Sequence, residues 1–204
     1  IGMAVSSMLS SQRNERRSTQ YKRDLDKARE IQQSILPDRN LRFHHYDMYG
    51  ISFADKIVGG DFFDYIESEE GDRLAVVIGD AASKGMVAAV QALYVSGALR
   101  MGIGFQTKLT SLIQRINGLV HRMFPAERFL TLFVAEFTND VKGICLYVNC
   151  GHPRPILYHA RQNAIEYCDP TGTVIGPFPE HPVRRESAVL GKGDVMLLYT
   201  DGVV

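Results

Sequence analysis

The hydrophobic rhythm of the chain changes twice. Up to Leu36 it is helical: Gly2 is the only glycine before that point and no proline precedes Pro37. Between Thr19 and Ile35 the apolar side chains Tyr21, Leu25, Ala28, Ile31 and Ile35 recur in steps of three and four, which gives one stripe along a charged helix. Gln32 interrupts that seam, and the stripe is too short for a self-sufficient coiled coil. Pro37 ends the element, because proline cannot supply the next backbone donor.

Beyond Pro37 the period shortens. Strands are expected over 46–54, 62–68 and 74–79, the last being the buried-strand run Leu74-Ala75-Val76-Val77-Ile78, with Glu69-Glu70-Gly71-Asp72 as a hairpin turn. Two helices follow. One is expected over about 85–101, with Val87, Val90, Tyr94, Ala98 and Met101 at helical spacing. The other is expected over about 108–123, with Leu109, Leu112, Ile113, Ile116, Val120 and Met123. Gly102 and Gly104 are read as the break between them, and Pro125 as the close of the pair. Strands then return over 130–137, 144–149, 154–159, 164–168, 183–189 and 195–199. Their connectors are short, so they make antiparallel neighbours. Strands, a helix pair and strands again is an α+β order, with two packed sheets and the helix pair covering one face.

Composition narrows the function classes. Lys and Arg total 23 and so do Asp and Glu, a zero balance that argues against a dedicated nucleic-acid binder. No apolar run in the sequence reaches the ~18 residues of a membrane span. Three cysteines (Cys145, Cys150 and Cys168), none in a C-x-x-C pair, read as core residues in a reducing, cytoplasmic setting rather than as a disulfide framework. None has an arginine six positions later, which excludes a thiol-based tyrosine phosphatase. Gly102-Ile103-Gly104 lacks the strand before it and the third glycine that a nucleotide loop requires. The chain begins with Ile1 and stops just after an aspartate-glycine turn, as a piece of a longer protein would.

Three acidic clusters carry the chemistry. Val58-Gly59-Gly60-Asp61, Ile78-Gly79-Asp80-Ala81 and Leu198-Tyr199-Thr200-Asp201-Gly202 each place an aspartate beside glycine at the rim of an apolar run. Taken singly, Asp61 and Asp201 read more readily as turn residues than as ligands, and Asp80 equally as a charge placed ahead of a helix. Taken together, carboxylates at separate strand ends are how proteins hold hard, oxygen-loving cations. His152, between glycine and proline, reads as a turn residue, His44-His45 as a loop and Lys84 as a solvated surface group.

The order of these motifs resembles one family. Ala28-Arg29-Glu30-Ile31-Gln32-Gln33-Ser34-Ile35-Leu36-Pro37 is similar to the linker that precedes bacterial protein phosphatase 2C-like (PPM) serine/threonine phosphatases of the sporulation-protein-E and sigma-B-regulator-U type. Val58–Tyr65, Ile78–Gly85, Asn149-Cys150-Gly151-His152-Pro153 and Tyr199–Gly202 resemble that group's successive motifs, from about residue 28 to the end. The resemblance implies two stacked antiparallel β-sheets flanked by helices and two Mn²⁺ or Mg²⁺ ions. It further implies Asp61, Asp80, the Ala81 backbone carbonyl and Asp201 as metal ligands, the three aspartates acting in catalysis through a metal-activated water. The implied activity is hydrolysis of phosphoserine or phosphothreonine on a protein, by analogy an anti-sigma-factor antagonist.

Residues 1–36 would then be a regulatory linker helix below an upstream sensor, open to homodimer pairing, and 38–204 the phosphatase domain without its C-terminal end. Two departures stand out: Ser83 occupies a position that is usually glycine in this group, and the sequence stops before a further metal aspartate of the family. They keep a second expectation open, a catalytically impaired sensor or partner-binding module on the same fold.

Overall fold

The computed structural model of the protein describes residues 2–37, 40–53, 58–105, 108–140 and 142–203, with side chains from Asn14 onward except Ile35. Helix α1, Gly2–Ile35, ends ahead of Pro37 as the sequence requires. A hairpin of β1 (Asn40–Phe43) and β2 (Tyr46–Tyr49) follows, turning at His44 with φ 51°. Strand β1 is absent from the sequence reading, because a four-residue strand with two charged or amide side chains leaves no periodic trace. The strand expected over 46–54 stops at Tyr49, and part of that range lies outside the described residues.

The main sheet is five-stranded and wholly antiparallel, in the order β3 (Phe62–Glu67), β4 (Arg73–Ala81), β5 (Leu130–Thr138), β6 (Ile144–Cys150), β9 (Glu186–Val189). A second sheet stacks β10 (Val195–Leu197), β7 (Ile156–His159) and β8 (Ala164–Tyr167). Alternation along β4 and β5 feeds both faces of the main sheet. Ala75, Val77, Leu132 and Val134 face the helix layer, whereas Leu74, Val76, Phe133 and Ala135 face the second sheet and the first hairpin. The expected two-sheet α+β architecture is what forms, with ten strands among the described residues.

Helices α2 (Met86–Gly104) and α3 (Leu109–Met123) form the connection between neighbouring strands β4 and β5. On α3 the predicted stripe is buried from Leu109 to Val120, while Met123 is exposed. On α2 the predicted face is the wrong one. Val87, Val90, Tyr94 and Met101 are exposed, and Ala88, Ala89, Ala92, Val95, Leu99 and Ile103 pack inward. The helix is apolar nearly all round, so periodicity does not select a face. Sterics does: three alanines let the backbone lie close to the sheet. At 19 residues α2 is also long and apolar enough to cross a membrane by composition, contrary to the sequence reading, yet its inner face belongs to the core.

The helix does end at Gly104, as read, but it runs through Gly102. Gly102 is instead where α3 approaches: a Cβ there would lie 2.1 Å from Leu112 Cδ1. Two buried polar groups tie the layers together. Asp64 of β3, only 2% exposed, pairs with the Arg100 guanidinium and accepts from its Nη2 at 2.8 Å, and Gln91 of α2 donates to the Arg128 carbonyl at 2.6 Å.

Phe133 is fully buried in the central strand and stacks on Tyr147, with ring centroids 5.6 Å apart. Phe133→Ala is expected to destabilise the fold by about 3–5 kcal/mol, read as a lowered midpoint in urea unfolding. His159 bridges Glu166 at 3.0 Å and Asp194 at 3.0 Å, pinning β7 to its neighbours. Its pKa is raised first by the hydrogen bond it donates to Glu166 and then by the one to Asp194. A raised folded-state value stabilises fully below the unfolded pKa of about 6.5, and the contribution disappears as pH rises through the folded value. His159→Gln should therefore lower the unfolding midpoint more at about pH 6 than at about pH 8.5. An equal deficit at both would mean that the charge on the ring contributes nothing.

Candidate metal and phosphate site

Antiparallel pairing brings the acidic clusters together. The β3–β4 register sets Phe62 opposite Gly79, so Asp61, just before β3, lies beside the end of β4 and Asp80. The ladder extends one step further, with the Ala81 N–H donating to the Gly60 carbonyl at 3.4 Å. Gly60 permits this closeness: a Cβ there would stand 2.8 Å from the Ala81 oxygen. Asp201 comes from the far end of the chain, opening a 3-10 turn (Asp201–Val203) after β10. It is delivered by Thr200, whose Oγ1 donates to Asp61 Oδ2 at 2.7 Å across 139 positions of sequence.

The resulting site is acidic and crowded. Burial pushes the Asp80 carboxyl up to about 7, helped by its hydrogen bond to Asp61 and by the charges of Asp61 and Asp201. Without a counter-charge, the Asp80 carboxyl is only partly ionised near neutrality. A cation would relieve that repulsion. The donor set fits one: carboxylate oxygens plus the Ala81 carbonyl, bared by the missing side chain at Gly60, are hard ligands suited to Mg²⁺ or Mn²⁺. The fit is open rather than closed. Asp201 is exposed, and among the described residues no three His, Cys, Asp or Glu side chains converge on one point.

The floor of the site is built by β5 and the turn after β6. Thr131 lies opposite Asp80 in the ladder, and its Oγ1 meets His152 Nδ1 at 2.9 Å. His152 is 3% exposed, and its own N–H donates to Asn149 Oδ1 at 2.9 Å. Burial drives its pKa down to about 4, against the Tyr199 backbone and the charges of Asp61 and Asp201. A neutral imidazole therefore packs under the carboxylates and adds no positive charge. Gly151, at φ 70°, makes this turn feasible, since a Cβ there would meet Val174 Cγ1 at 2.5 Å.

All three sequence-predicted aspartates thus lie at one rim, His152 has the structural place expected of it, and Lys84 is exposed. The sequence reading missed Thr200 as the link between the first and third clusters. It also missed Gln32, whose carboxamide bonds the backbone of Gly59. The available signal for Gln32 was a polar side chain in the middle of an apolar stripe. The cysteines are buried and free, with thiols pushed up to about 12 at Cys145 and Cys150 and about 11 at Cys168, all chiefly by burial. Such thiols are inert as nucleophiles near neutral pH.

Known proteins resemble the chain in sequence and in fold. The family model for stage II sporulation protein E (SpoIIE) matches residues 70–204. The phosphoserine phosphatase RsbU of Bacillus subtilis is 24% identical over 184 residues, covering 90% of this chain and 54% of that protein, so the chain spans about half the length of this relative. The solved RsbU and RsbW domains of Rv1364c from Mycobacterium tuberculosis align at TM-score 0.62 and 32% identity, covering 75% of this chain and 42% of that one. The SiaA-PP2C domain of Pseudomonas aeruginosa aligns at TM-score 0.70 and 20% identity, covering 91% of this chain and 73% of that one. The architecture is therefore that of PP2C phosphatase domains, and the chain belongs to the SpoIIE family.

Proposed function

We propose that the chain is the catalytic part of a divalent-metal-dependent serine/threonine phosphatase acting on a phosphorylated bacterial signalling protein, with an anti-sigma-factor antagonist as the substrate class. The observation that carries this reading is the placement of Asp61 and Asp201 beside Asp80, whose carboxyl is raised to about 7 by burial first and then by these neighbours. Asp61, Asp80, the Ala81 carbonyl and Asp201 are the residues to hold Mn²⁺ or Mg²⁺. Two such ions, when bound, supply a water of lowered pKa and neutralise charge on the transferring phosphoryl group. The chain's own residues do the rest: Thr200 orients Asp61, Gly60 clears the approach to the Ala81 carbonyl, and neutral His152 leaves the site anionic so that cations are drawn to it.

Residues 1–36 form the regulatory element of this proposal and 38–204 the phosphatase domain. The exposed Tyr21 and Ile31 of α1 suit pairing with a second copy or an upstream sensor. A second reading, a partner-binding module with impaired catalysis, is favoured by the open set of carboxylates and the exposed Asp201.

Both readings meet one experiment. In the full chain, Asp80→Asn is expected to weaken Mn²⁺ binding in calorimetry, and to cut Mn²⁺-dependent hydrolysis of a phosphoserine peptide, by about 100-fold or more. Unaltered Mn²⁺ affinity in the variant would sink the metal assignment. Intact Mn²⁺ binding by wild type without hydrolysis would select the second reading.

A further inference from the structure

We propose that His152 is a positioning residue for Asp201, its imidazole holding the backbone just ahead of that aspartate. This deepens the metal-site reading above and rests on it. His152 lies in the turn between β6 of the main sheet and β7 of the second, where the chain crosses from one to the other. On one side its Nδ1 meets Thr131 Oγ1 at 2.9 Å, and Thr131 is the β5 residue paired with Asp80. On the other side is the Tyr199 backbone, which favours a proton on the ring, as a carbonyl oxygen does. Tyr199 directly precedes Thr200, which binds Asp61, and Asp201 comes next. One ring therefore stands between the strand partner of Asp80 and the segment that delivers Asp201.

The partners assign the tautomer. A carbonyl can only accept, so Nε2 carries the proton toward Tyr199, and Nδ1 keeps its lone pair for the Thr131 hydroxyl to donate into. The ring is held firmly in that place. His152 is 3% exposed, and its own N–H donates at 2.9 Å to Oδ1 of the fully buried Asn149. The segment facing the ring is held loosely. Past Leu197, the last residue of β10 paired with β7, no ladder partner holds Leu198, Tyr199 or Thr200 among the described residues, and Asp201 is exposed. The Nε2 is shut off from water, yet among the described residues it makes no full hydrogen bond. A buried donor left short of its acceptor costs free energy, which a small movement of that acceptor recovers. Here the acceptor lies on the loosely held segment: as Tyr199 closes on Nε2, the turn at Asp201 follows toward Asp80. Cation binding at the rim and completion of this bond then favour each other.

The test uses the full chain with two variants. In His152→Gln an amide N–H can stand where Nε2–H stands. In His152→Asn the shorter amide stands at the Nδ1 place and does not reach Tyr199. Both lose the ring and its packing, so a merely structural role moves both alike. Positioning separates them: His152→Asn is expected to raise the Mn²⁺ Kd in calorimetry about tenfold, with His152→Gln within about threefold of wild type. Nitrogen NMR of metal-free wild type is expected to show the Nε2–H form of His152, and exchange of that proton with water to slow about tenfold on adding Mg²⁺. Equal Kd values in the two variants overturn the proposal, as does a ring protonated at Nδ1 alone. Should a variant fail to fold, the wild-type ring proton decides, and exchange unchanged by Mg²⁺ overturns the proposal. Should wild type bind neither ion, the metal reading fails separately. Amide exchange across residues 199–202 of metal-free protein then decides the role of His152: faster in His152→Asn than in His152→Gln supports it, and equal rates overturn it.

Discussion

Mutual repulsion among carboxylates crowded at one rim is the constraint around which this structure is arranged. Asp80 lies where burial and the charges of Asp61 and Asp201 all disfavour its ionised form. No isolated strand end would tolerate that company. It is held because each carboxylate is attached to something rigid: Asp80 to the β4–β5 ladder, Asp61 to the extension of β3 against β4, and Asp201 through Thr200. Stored repulsion of this kind is what makes a rim of acids selective for divalent cations, whose binding removes it.

The helix layer serves the same end of the molecule. The alanines of α2 let it lie against β3 and β4, and Arg100 fixes it to the buried Asp64, three residues past Asp61. Gln91 holds the loop into β5 through the Arg128 carbonyl. Asn117 of α3 bonds both the Phe178 carbonyl and the Gly176 N–H, at 2.9 and 2.8 Å, and so fixes the long connection after β8. These buried polar side chains satisfy loop backbone that has no ladder partner, which costs less than leaving it bare. The stretch that Asn117 fixes carries the chain from β8 of the second sheet to β9 of the main sheet.

Helix α1 stands apart in its energetics. It has a long solvated body and a short docked end, so little apolar area opposes its displacement. What the docked end touches is the glycine loop ahead of Asp61.

Much of this was written in the order of residues. The five-residue apolar run Leu74–Ile78, the turn at Glu69–Asp72, the stripe of α3 and the proline that stops α1 follow from local propensity and period, and they formed as read. The acidic clusters were legible too, since glycine beside aspartate at a strand end is a local signal. Local signals gave no way to tell which side of α2 faces inward, because Val87, Val90 and Tyr94 look as buriable as Ala88, Ala92 and Val95; only the closeness of the sheet favours the small side chains. Nor did they pair Thr200 with Asp61 or Gln32 with Gly59, contacts that exist because separate elements meet at one rim. Sequence alone determined the elements and the chemical groups at their ends. The tertiary fold decided which ends meet, since register and close packing are properties of two segments and are written in neither.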